Sequence, residues 1–333
     1  MTHDLTLHAT RRQCLRSAVA LAAAATLPLA RTARAADTPA AVRLVLPHAA
    51  GSGVDAIARA MQNALGKALG ASIVVDNQPG AGGIVGLQQL ARATPDGHTL
   101  SLVSNNVVIF PSVYKSLPFQ MPGDFTPVAV CGTTPMVLVV HPRWQVTDAQ
   151  GFLALLKARP TDLTYGSGGN GTILHLAAEL LLDETGTKAR HIPYKGVGPM
   201  VSDLVGGQID FAVVALPTAQ PHLRSGALRA IGLTTAERVP AAKEIPTFAE
   251  QGLPAYVVDA WFAMLGPKGL PAPVVQRLHG ALAATFASPE VKEMMDRQGN
   301  VIRLGTPEQA GPFLRSELDK YAAIVRKANV RLD

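Results

Sequence analysis

The feature that most constrains the fold of this chain lies within residues 42–55. There an apolar strand leads into a glycine-containing loop, and a helix begins directly after the loop. The strand breaks at Pro47, and apolar residues recur at helical spacing from Val54 onward. The first N–H groups of a helix have no acceptor one turn earlier and carry partial positive charge, so they favour a carboxylate or phosphate. The pattern therefore predicts an anion site in this loop. A plain strand-to-helix turn, capped by Ser52 or Asp55, is the alternative.

Short apolar runs alternate with helix-length amphipathic stretches in two successive series. The predicted strands are 42–46, 72–76, 98–103, 163–166, 191–193, 209–214 and 228–234. The predicted helices are 54–69, 82–93, 172–182, 198–205, 271–287, 289–298 and 307–328. This order predicts parallel sheets covered by helices, with ligands beyond the carboxyl ends of the strands. The runs at 128–130, 137–140 and 256–265 are predicted to connect two lobes.

The length of the chain also indicates two lobes, because roughly 300 residues are more than one hydrophobic core usually holds. Two α/β lobes that are joined by two chain crossings form a cleft between them. This geometry permits hinge closure around a small ligand. We therefore predict an α/β fold with two lobes and a two-crossing hinge.

Residues 1–35 predict an export signal. A pair of arginines precedes an apolar stretch, 18–30, that is too short to span a bilayer comfortably. The segment ends in the small-x-small cleavage site Ala33-Arg-Ala35, so we expect the mature chain to begin at Ala36. The twin-arginine and Sec routes both stay open, because Cys14 stands where a twin-arginine signal usually has phenylalanine.

The charge balance does not favour a nucleic-acid partner. The whole chain has 30 basic and 24 acidic residues, a net charge of +6. Removal of the signal takes away five arginines and one aspartate, which leaves 25 and 23 and a net charge of +2. Cys131 is then the sole cysteine, so no intrachain disulfide is expected.

A second glycine loop, 167–172, repeats the first arrangement, because it also lies between a predicted strand and a predicted helix. It would direct another positive helix end at the cleft. Ser167, Asn170 and Thr172 can donate to ligand oxygens or cap that helix, and a simple cap is the alternative.

Cofactor and metal signatures are missing from the sequence. The glycines of 77–86 miss the dinucleotide spacing by one residue. Residues 77–83 are therefore predicted to form a loop that faces the cleft or packs closely, with a structural turn as the alternative. None of the nine histidines has metal-ligand spacing, and His175 is predicted to lie in the core or directly behind the residues that contact the ligand. No catalytic constellation stands out. We therefore predict no cofactor, no metal and no catalysis, and binding rather than turnover.

Seven motifs occur in order over nearly the whole chain that follows the signal. They are 47–55, 76–83, 95–100, 167–172, 193–196, 203–208 and 244–247. In these motifs the chain resembles the Bug-type, TctC-like receptors of tripartite tricarboxylate transporters. The resemblance implies a type II periplasmic binding protein-like fold, with one lobe from 36–137 plus 262–333 and the other from 138–261.

The resemblance also implies a function. It predicts a periplasmic receptor that captures a small organic carboxylate between its lobes, with main-chain N–H groups and ordered waters holding the carboxylate. A membrane permease of the tripartite tricarboxylate type is the expected partner, and we expect a monomer. An exported cofactor-binding oxidoreductase and a ligand sensor for a signalling protein are the alternatives.

The resemblance implies which positions of this sequence bind the ligand. They are Ala50, Gly51, Ser52, Gly53, Val54, Asp55, Ser104, Asn105, Asn106, Ser167, Gly168, Asn170, Gly171, Thr172, Lys195, Gly196, Val214, Ala215 and Trp261. Trp261 could wall the cleft or lie buried at the lobe junction.

Two departures from the family pattern bear on the ligand. Val54 stands where the family usually has threonine, and Val214 and Ala215 stand where it often has a polar pair such as Asp-Asn. A buried ammonium group needs carboxylates or carbonyls around it. We therefore predict a carboxylate with a largely apolar body and no amino group.

Overall fold

The computed structural model describes residues 41–258 and 260–327. The predicted export signal, residues 1–35, lies outside the described residues. The strands are β1 Ala41–Leu46, β2 Ser72–Asn77, β3 Thr99–Ser104, β4 Phe125–Thr134, β5 Met136–Val140, β6 Thr164–Ser167, β7 Arg190–Pro193, β8 Phe211–Ala215, β9 Arg229–Leu233, β10 Ala260–Pro267 and β11 Val301–Ile302. They form two separate sheets.

The helices lie between and after these strands. They are α1 Gly53–Leu69, α2 Ile84–Ala91, α3 Asn106–Val113, α4 Ala149–Ala158, α5 Ile173–Thr185, α6 Val197–Val205, α7 Leu216–Arg224, α8 Ala272–Ala287, α9 Pro289–Gln298 and α10 Pro307–Lys327. Short 3-10 turns occur at Gly80–Gly83, Pro142–Trp144 and Pro240–Ala242. Within the described residues, no helix is both long enough and apolar enough to cross a membrane.

The first lobe is built on a six-stranded sheet with the order β11-β4-β10-β3-β1-β2. β1 pairs in parallel with β2 and β3, whereas β10 pairs antiparallel with both β3 and β4. β1 and β3 are largely buried because helices cover both faces of the sheet, and most of their side chains are apolar.

The second lobe is built on a five-stranded sheet with the order β7-β6-β8-β5-β9. β6 is parallel to β7 and β8, and β5 is antiparallel to β8 and β9. The chain passes from one sheet to the other through Pro135 alone and returns after β9 through a segment that ends at β10. The predicted lobe boundaries, after residues 137 and 261, stay predictions.

All seven predicted strands and all seven predicted helices are present, with ends that differ by a few residues. The expected parallel pairing is confirmed for β1, β2 and β3 and for β6, β7 and β8, but each sheet is mixed, because β10 and β5 insert antiparallel between other strands. The runs at 128–130, 137–140 and 256–265 are likewise not simple connections. The first two lie within β4 and β5, and the third contains most of β10.

Helix α1 illustrates how the sequence sets an element that positions the site. The Ser52 side chain caps it by accepting from the Asp55 N–H, and Gly70 ends it in the left-handed region at φ 64°. Its buried stripe, including Ile57, Met61 and Leu65, packs on the first sheet. Burial of each of these side chains stabilises the fold by roughly 1.5–3 kcal/mol, so the start of α1 is held firmly.

Candidate functional site

A cavity that is partly open to solvent lies where the two lobes meet. It is found beyond the carboxyl ends of β1, β3, β6, β7 and β8, as expected for parallel strands followed by helices. Its lining residues are Pro47, His48, Ala49, Ser52, Gly53, Val54, Pro79, Gly82, Ser104, Asn106, Thr134, Met136, Gly168, Thr172, Ile173, Leu174, Gly196, Val197, Ala215, Thr218 and Ala260.

The start of α1 supplies main-chain donors from the first lobe. Ser52 caps the helix, and its carbonyl accepts from the Ala56 N–H. The N–H groups of Gly53 and Val54 have no hydrogen-bond partner within the described part of the chain, and both residues line the cavity. Two unpaired donors at a positive helix end favour an anionic ligand oxygen.

The start of α5 supplies the corresponding donor from the second lobe. Thr172 caps this helix through the His175 N–H, and the Asn106 side chain of the first lobe accepts from the Ile173 N–H at 2.8 Å. The Leu174 N–H has no partner among the residues that the structure describes. Helices from both lobes therefore direct N–H groups into the same cavity.

No charged side chain lines the cavity in the described ranges. The nearest acidic candidate, Asp55, is buried, and it accepts from the Gly51 N–H, Arg59 and Asn77 instead. Burial opposes its ionisation, but these three donors outweigh that effect and hold the pKa of Asp55 below its usual value. An anion in the cavity would thus bind to main-chain N–H groups at helix starts and to hydroxyl groups rather than to lysine or arginine.

One polar group at the cavity comes from the first loop. His48 lies 2.9 Å from Ser104 through its Nε2 atom, and its Nδ1 atom is inaccessible and has no hydrogen-bond partner among the described residues. Desolvation lowers the pKa of His48 to about 4, although the negative charge of Asp55 acts in the other direction and raises it. The imidazole is therefore neutral at pH 7. Thr134 also lines the cavity, and its buried hydroxyl has no hydrogen-bond partner among the described residues.

The glycine loop of the second lobe rests on a stack of neutral aromatic rings. The His175 and His191 rings are 3.9 Å apart and nearly parallel, and Tyr165 stacks on His191 at 4.8 Å. His175 Nδ1 accepts from the Gly171 N–H, and His191 Nε2 lies 2.7 Å from the Ser167 hydroxyl. Burial, together with the neighbouring His191, lowers the pKa of His175 to about 3. Burial lowers that of His191 to about 4.

The two lobes touch closely around the cavity. A Cβ atom on Gly53 would lie 2.6 Å from Ala215 Cβ, and one on Gly196 would lie 2.6 Å from Ala49 Cβ. Gly196 also has a positive φ of 132°. Only a glycine allows this backbone conformation and this approach together. The lobes are therefore in a closed arrangement.

Hydrogen bonds between the lobes accompany this approach. Besides the bond from Ile173 to Asn106, the Tyr114 hydroxyl donates to the Asn170 carbonyl at 2.9 Å, and the Thr218 hydroxyl donates to the Gly51 carbonyl at 3.1 Å. These bonds surround the cavity, so a ligand that fills it would be enclosed on several sides.

The structure brings nine of the nineteen predicted site residues together at the cavity. They are Ser52, Gly53, Val54, Ser104, Asn106, Gly168, Thr172, Gly196 and Ala215. Their roles in binding stay predictions. The other predicted residues are not among the lining residues, and they are Ala50, Gly51, Asp55, Asn105, Ser167, Asn170, Gly171, Lys195, Val214 and Trp261.

Several residues outside the lining support the loops from behind. Asp55, Ser167 and Gly171 make the bonds described above, and the Asn170 carbonyl joins the lobes. The Asn105 side chain donates to Tyr321 and accepts from the Trp261 N–H. Ala50, Gly51 and Lys195 are exposed, while Val214 is a core residue of the second lobe.

Trp261 does not line the cavity and is buried instead, which was the alternative to a position in the cleft wall. Its indole Nε1 donates to Glu317 at 2.7 Å, and its ring packs edge-on against Phe313. Both partners belong to α10, so the indole is buried against the C-terminal helix. Successive side chains of a strand point to opposite faces, and the residue before it, Ala260, is the one that lines the cavity.

Twelve lining residues are not among the nineteen predicted site residues, although two of them, Pro79 and Gly82, belong to the loop that was expected to face the cleft or pack closely. The twelve residues are Pro47, His48, Ala49, Pro79, Gly82, Thr134, Met136, Ile173, Leu174, Val197, Thr218 and Ala260. His48 and Ile173 directly adjoin predicted loops, so the strand-to-loop-to-helix signal could have included them. Thr134 and Met136 flank Pro135, and only the pairing of the sheets brings that crossing to the cavity.

Comparison with known proteins identifies the family. The profile of the tripartite tricarboxylate transporter family receptor, TctC, matches residues 57–330, well over half of the chain. The chain belongs to this family. BugT of Bordetella pertussis (strain Tohama I) is 33% identical over 293 residues, which cover 87% of this chain and 90% of BugT. Members of this family are solute-binding receptors.

Solved structures agree with the two-lobed fold. Rpa4515 of R. palustris, solved with adipate, superposes with a TM-score of 0.85 at 30% identity and covers 89% of this chain and 100% of its own. MatC of Rhodopseudomonas palustris, solved with bound malate, has a TM-score of 0.80 at 28% identity and covers 86% of this chain and 98% of its own. Both are carboxylate complexes of similar proteins.

Proposed function

We propose that this TctC-family receptor captures a small organic carboxylate in the cavity between its lobes and holds it by closure of the hinge. The observation that carries the proposal is the convergence of unpaired N–H groups from both lobes, at Gly53 and Val54 and at Leu174. A ligand oxygen that accepts from both helix starts would stabilise the closed arrangement over an open one. The adipate and malate bound by its relatives support this ligand class.

The rest of the ligand is proposed to be largely apolar and to lack an amino group. Ten of the seventeen non-glycine lining residues are apolar, and they are Pro47, Ala49, Val54, Pro79, Met136, Ile173, Leu174, Val197, Ala215 and Ala260. No carboxylate side chain lines the cavity in the part of the chain that the structure describes. A buried ammonium would therefore be left without a counter-charge, which costs several kcal/mol.

The setting of this activity forms part of the proposal. The chain is exported to the periplasm with cleavage after Ala35, acts as a monomer without catalysing a reaction, and passes its ligand to a membrane permease of the tripartite tricarboxylate type. Recognition of the closed form by a signalling protein, or chemistry on a bound cofactor, are the competing roles. A pull-down with and without ligand, and an absorbance spectrum of the purified protein, separate these roles.

A thermal-shift and calorimetry panel tests the ligand class. We expect aliphatic or aromatic monocarboxylates to raise the melting temperature of the mature protein and to bind with measurable heat. The N–H groups at the helix starts would bind the carboxylate, and the apolar cavity wall would contact the rest of the ligand. Amides of the same acids, which lack the charge, are the matched controls and should bind far more weakly. Stabilisation by aspartate or glutamate, with none from acids lacking an amino group, would refute the proposal.

A further inference from the structure

Asn106 is a buried residue whose amide joins the two lobes. It begins α3 in the first lobe, is 6% exposed and lines the cavity. Its Oδ1 atom accepts from the Ile173 N–H, at the start of α5 in the second lobe, at 2.8 Å. Because a main-chain N–H can only donate, this bond fixes which atom of the amide is the oxygen. The position of the Nδ2 atom is thereby fixed as well.

The Nδ2 atom of Asn106 is an unused donor that a ligand can reach. It has no hydrogen-bond partner among the described residues. It is also not one of the inaccessible unpaired atoms in this part of the chain, which are His48 Nδ1, Ser101 Oγ, Thr134 Oγ1 and Asn300 Oδ1. Since Asn106 is otherwise buried and lines the cavity, the accessible surface of this nitrogen faces the cavity. An amide nitrogen only donates, so its partner there must be an acceptor.

The start of α5 offers a second donor close to this nitrogen. Ile173 and Leu174 are the first two residues of the helix, and the Leu174 N–H has no partner in the described ranges. Asn106 Nδ2 and the Leu174 N–H both adjoin the Ile173 N–H, so one carboxylate group can accept from both. These two donors belong to different lobes. A carboxylate bound to both therefore favours the closed arrangement.

We propose that the Asn106 amide links ligand binding to closure of the lobes. Its Oδ1 atom binds the second lobe, and its Nδ2 atom donates to the carboxylate of the ligand. In an open arrangement the Ile173 N–H is out of reach and the amide is free to rotate, so the donor is held in place only on closure. This inference rests on the proposed function, and it adds the residue through which ligand affinity depends on closure.

Two variants separate the two bonds of this amide. Ile173→Pro removes the N–H that binds Oδ1. Proline suits the first position of a helix, and Thr172 already has the extended backbone that precedes proline, at φ −77° and ψ 161°. Asn106→Ala removes both bonds. Ile173→Ala, which keeps the N–H but shortens the side chain, and the exposed Asn63→Ala are the matched controls.

Calorimetry on the mature variants uses whichever of hexanoate, octanoate, benzoate, adipate and malate binds the unmodified protein most tightly. We expect Ile173→Pro to bind about threefold to tenfold more weakly than Ile173→Ala, as for one neutral hydrogen bond. Asn106→Ala should lose at least about tenfold more, because a bond to a charged group is lost as well. Combined with Asn106→Ala, the proline and alanine variants at position 173 should bind equally. Asn63→Ala should bind like the unmodified protein.

Asn106→Asp shows whether a loss in Asn106→Ala comes from a folding defect. The new carboxylate still accepts from the Ile173 N–H, but it cannot donate and it repels an anionic ligand. We expect this variant to keep a cooperative thermal transition and to bind the acid at least as weakly as Asn106→Ala does.

Three results would overturn the inference while leaving the proposed function intact. Equal losses in Asn106→Ala and Ile173→Pro would mean that the amide only joins the lobes. Equal affinities of Ile173→Pro and Ile173→Ala would mean that binding does not depend on the bond between the lobes. Unchanged affinity in Asn106→Asp would exclude a donor role for the amide. If none of the five acids binds the unmodified protein, the proposed function itself has failed.

Discussion

The two glycine loops that face the cavity each connect a strand to a helix, but charged groups hold one of them in place and uncharged groups hold the other. The first loop, 47–53, is braced by an ion pair, since the Asp55 carboxylate binds the Gly51 N–H, Arg59 and Asn77. The second loop, 167–172, is braced by the neutral rings of His175 and His191.

Solvent access explains the difference. The Arg59 side chain is 52% exposed, so it keeps most of its hydration while it neutralises the buried Asp55. The second loop lies over a lobe interior in which His175 is only 6% exposed, and charged imidazolium groups there would be strongly desolvated. The same strand-loop-helix geometry can therefore rest on charges near the surface or on uncharged rings inside. The two braces should respond differently to mutation and to pH.

The largest expected effect comes from breaking the approach of the first loop to the opposite lobe. Gly53→Ala places a Cβ atom 2.6 Å from Ala215 Cβ without requiring an unusual backbone angle. We expect ligand affinity to fall about a hundredfold, or ~2.7 kcal/mol, because the lobes can no longer close fully. Calorimetry with the best acid of the panel measures this loss.

Gly280→Ala is the matched control for that variant. It lies within α8, and a Cβ atom there would meet nothing within 4 Å. We expect its affinity to match that of the unmodified protein, with a gain of up to about 1 kcal/mol in the free energy of unfolding. Equal affinities for the Gly53 and Gly280 variants would show that closure at this contact is not required.

Removal of the charge from the first brace should cost stability. In Asp55→Asn the new amide donors face the Arg59 guanidinium and the Asn77 amide. We expect the free energy of unfolding at pH 7 to fall by about 2 kcal/mol, measured by denaturant titration. Asp162→Asn, at an exposed position, should stay within about 0.5 kcal/mol of the unmodified protein. A loss of equal size in both variants would contradict an ionic brace for the first loop.

The pH dependence of stability should distinguish the two braces. Burial lowers the folded-state pKa of His175 to about 3, whereas its value in the unfolded chain is about 6.5. Between pH 6.5 and pH 3 the unfolded chain therefore binds more protons than the folded chain. Stability from this group is therefore complete above about pH 6.5 and is lost as the pH falls toward 3. The pKa of Asp55 is lowered from the ordinary aspartate value, so its contribution is lost only in more acidic solution, below about pH 4.

His175→Asn keeps an acceptor for the Gly171 N–H but cannot be protonated. We expect the loss of unfolding free energy between pH 6.5 and 4 to be about 2 kcal/mol smaller in this variant than in the unmodified protein. The exposed His98→Asn is the matched control and should follow the curve of the unmodified protein. Parallel curves for all three proteins would show that the neutral stack does not set the acid sensitivity.

The smallest effect concerns a bond that joins the second loop to the first lobe. Tyr114→Phe removes the hydrogen bond to the Asn170 carbonyl, and we expect ligand affinity to fall about threefold to tenfold, since one neutral hydrogen bond contributes about 0.5–1.5 kcal/mol. Tyr194→Phe removes a hydroxyl that bonds Asp203 within one lobe and should leave affinity unchanged. Equal losses in the two variants would mean that the effect is not specific to closure.

Local signals in the sequence predicted the elements that carry the site. Both glycine loops and the helices α1 and α5 that follow them could be predicted because apolar spacing, proline and glycine mark their limits. By contrast, α3 escaped prediction because it is buried on nearly all sides and contains Pro111, so it shows no amphipathic stripe.

Features that depend on tertiary pairing could not be predicted in the same way. The antiparallel insertion of β10 joins segments distant in sequence. It also determines which face each side chain of that strand occupies. The sequence therefore left Trp261 either at the cleft wall or buried at the lobe junction, and the structure buries its indole and places its neighbour Ala260 at the cavity. His48 was missed because its unpaired nitrogen becomes evident only when Ser104 is seen beside it.

The central position of β10 also bears on how the chain acquires its native state. The five strands of the second sheet lie within 136–233, so that lobe can assemble as soon as this continuous segment is available. The first sheet lacks a middle strand until residues 260–267 arrive, and it also recruits α8 to α10 from the end of the chain. During synthesis or translocation the second lobe can therefore fold early, while the first must wait for nearly the whole polypeptide.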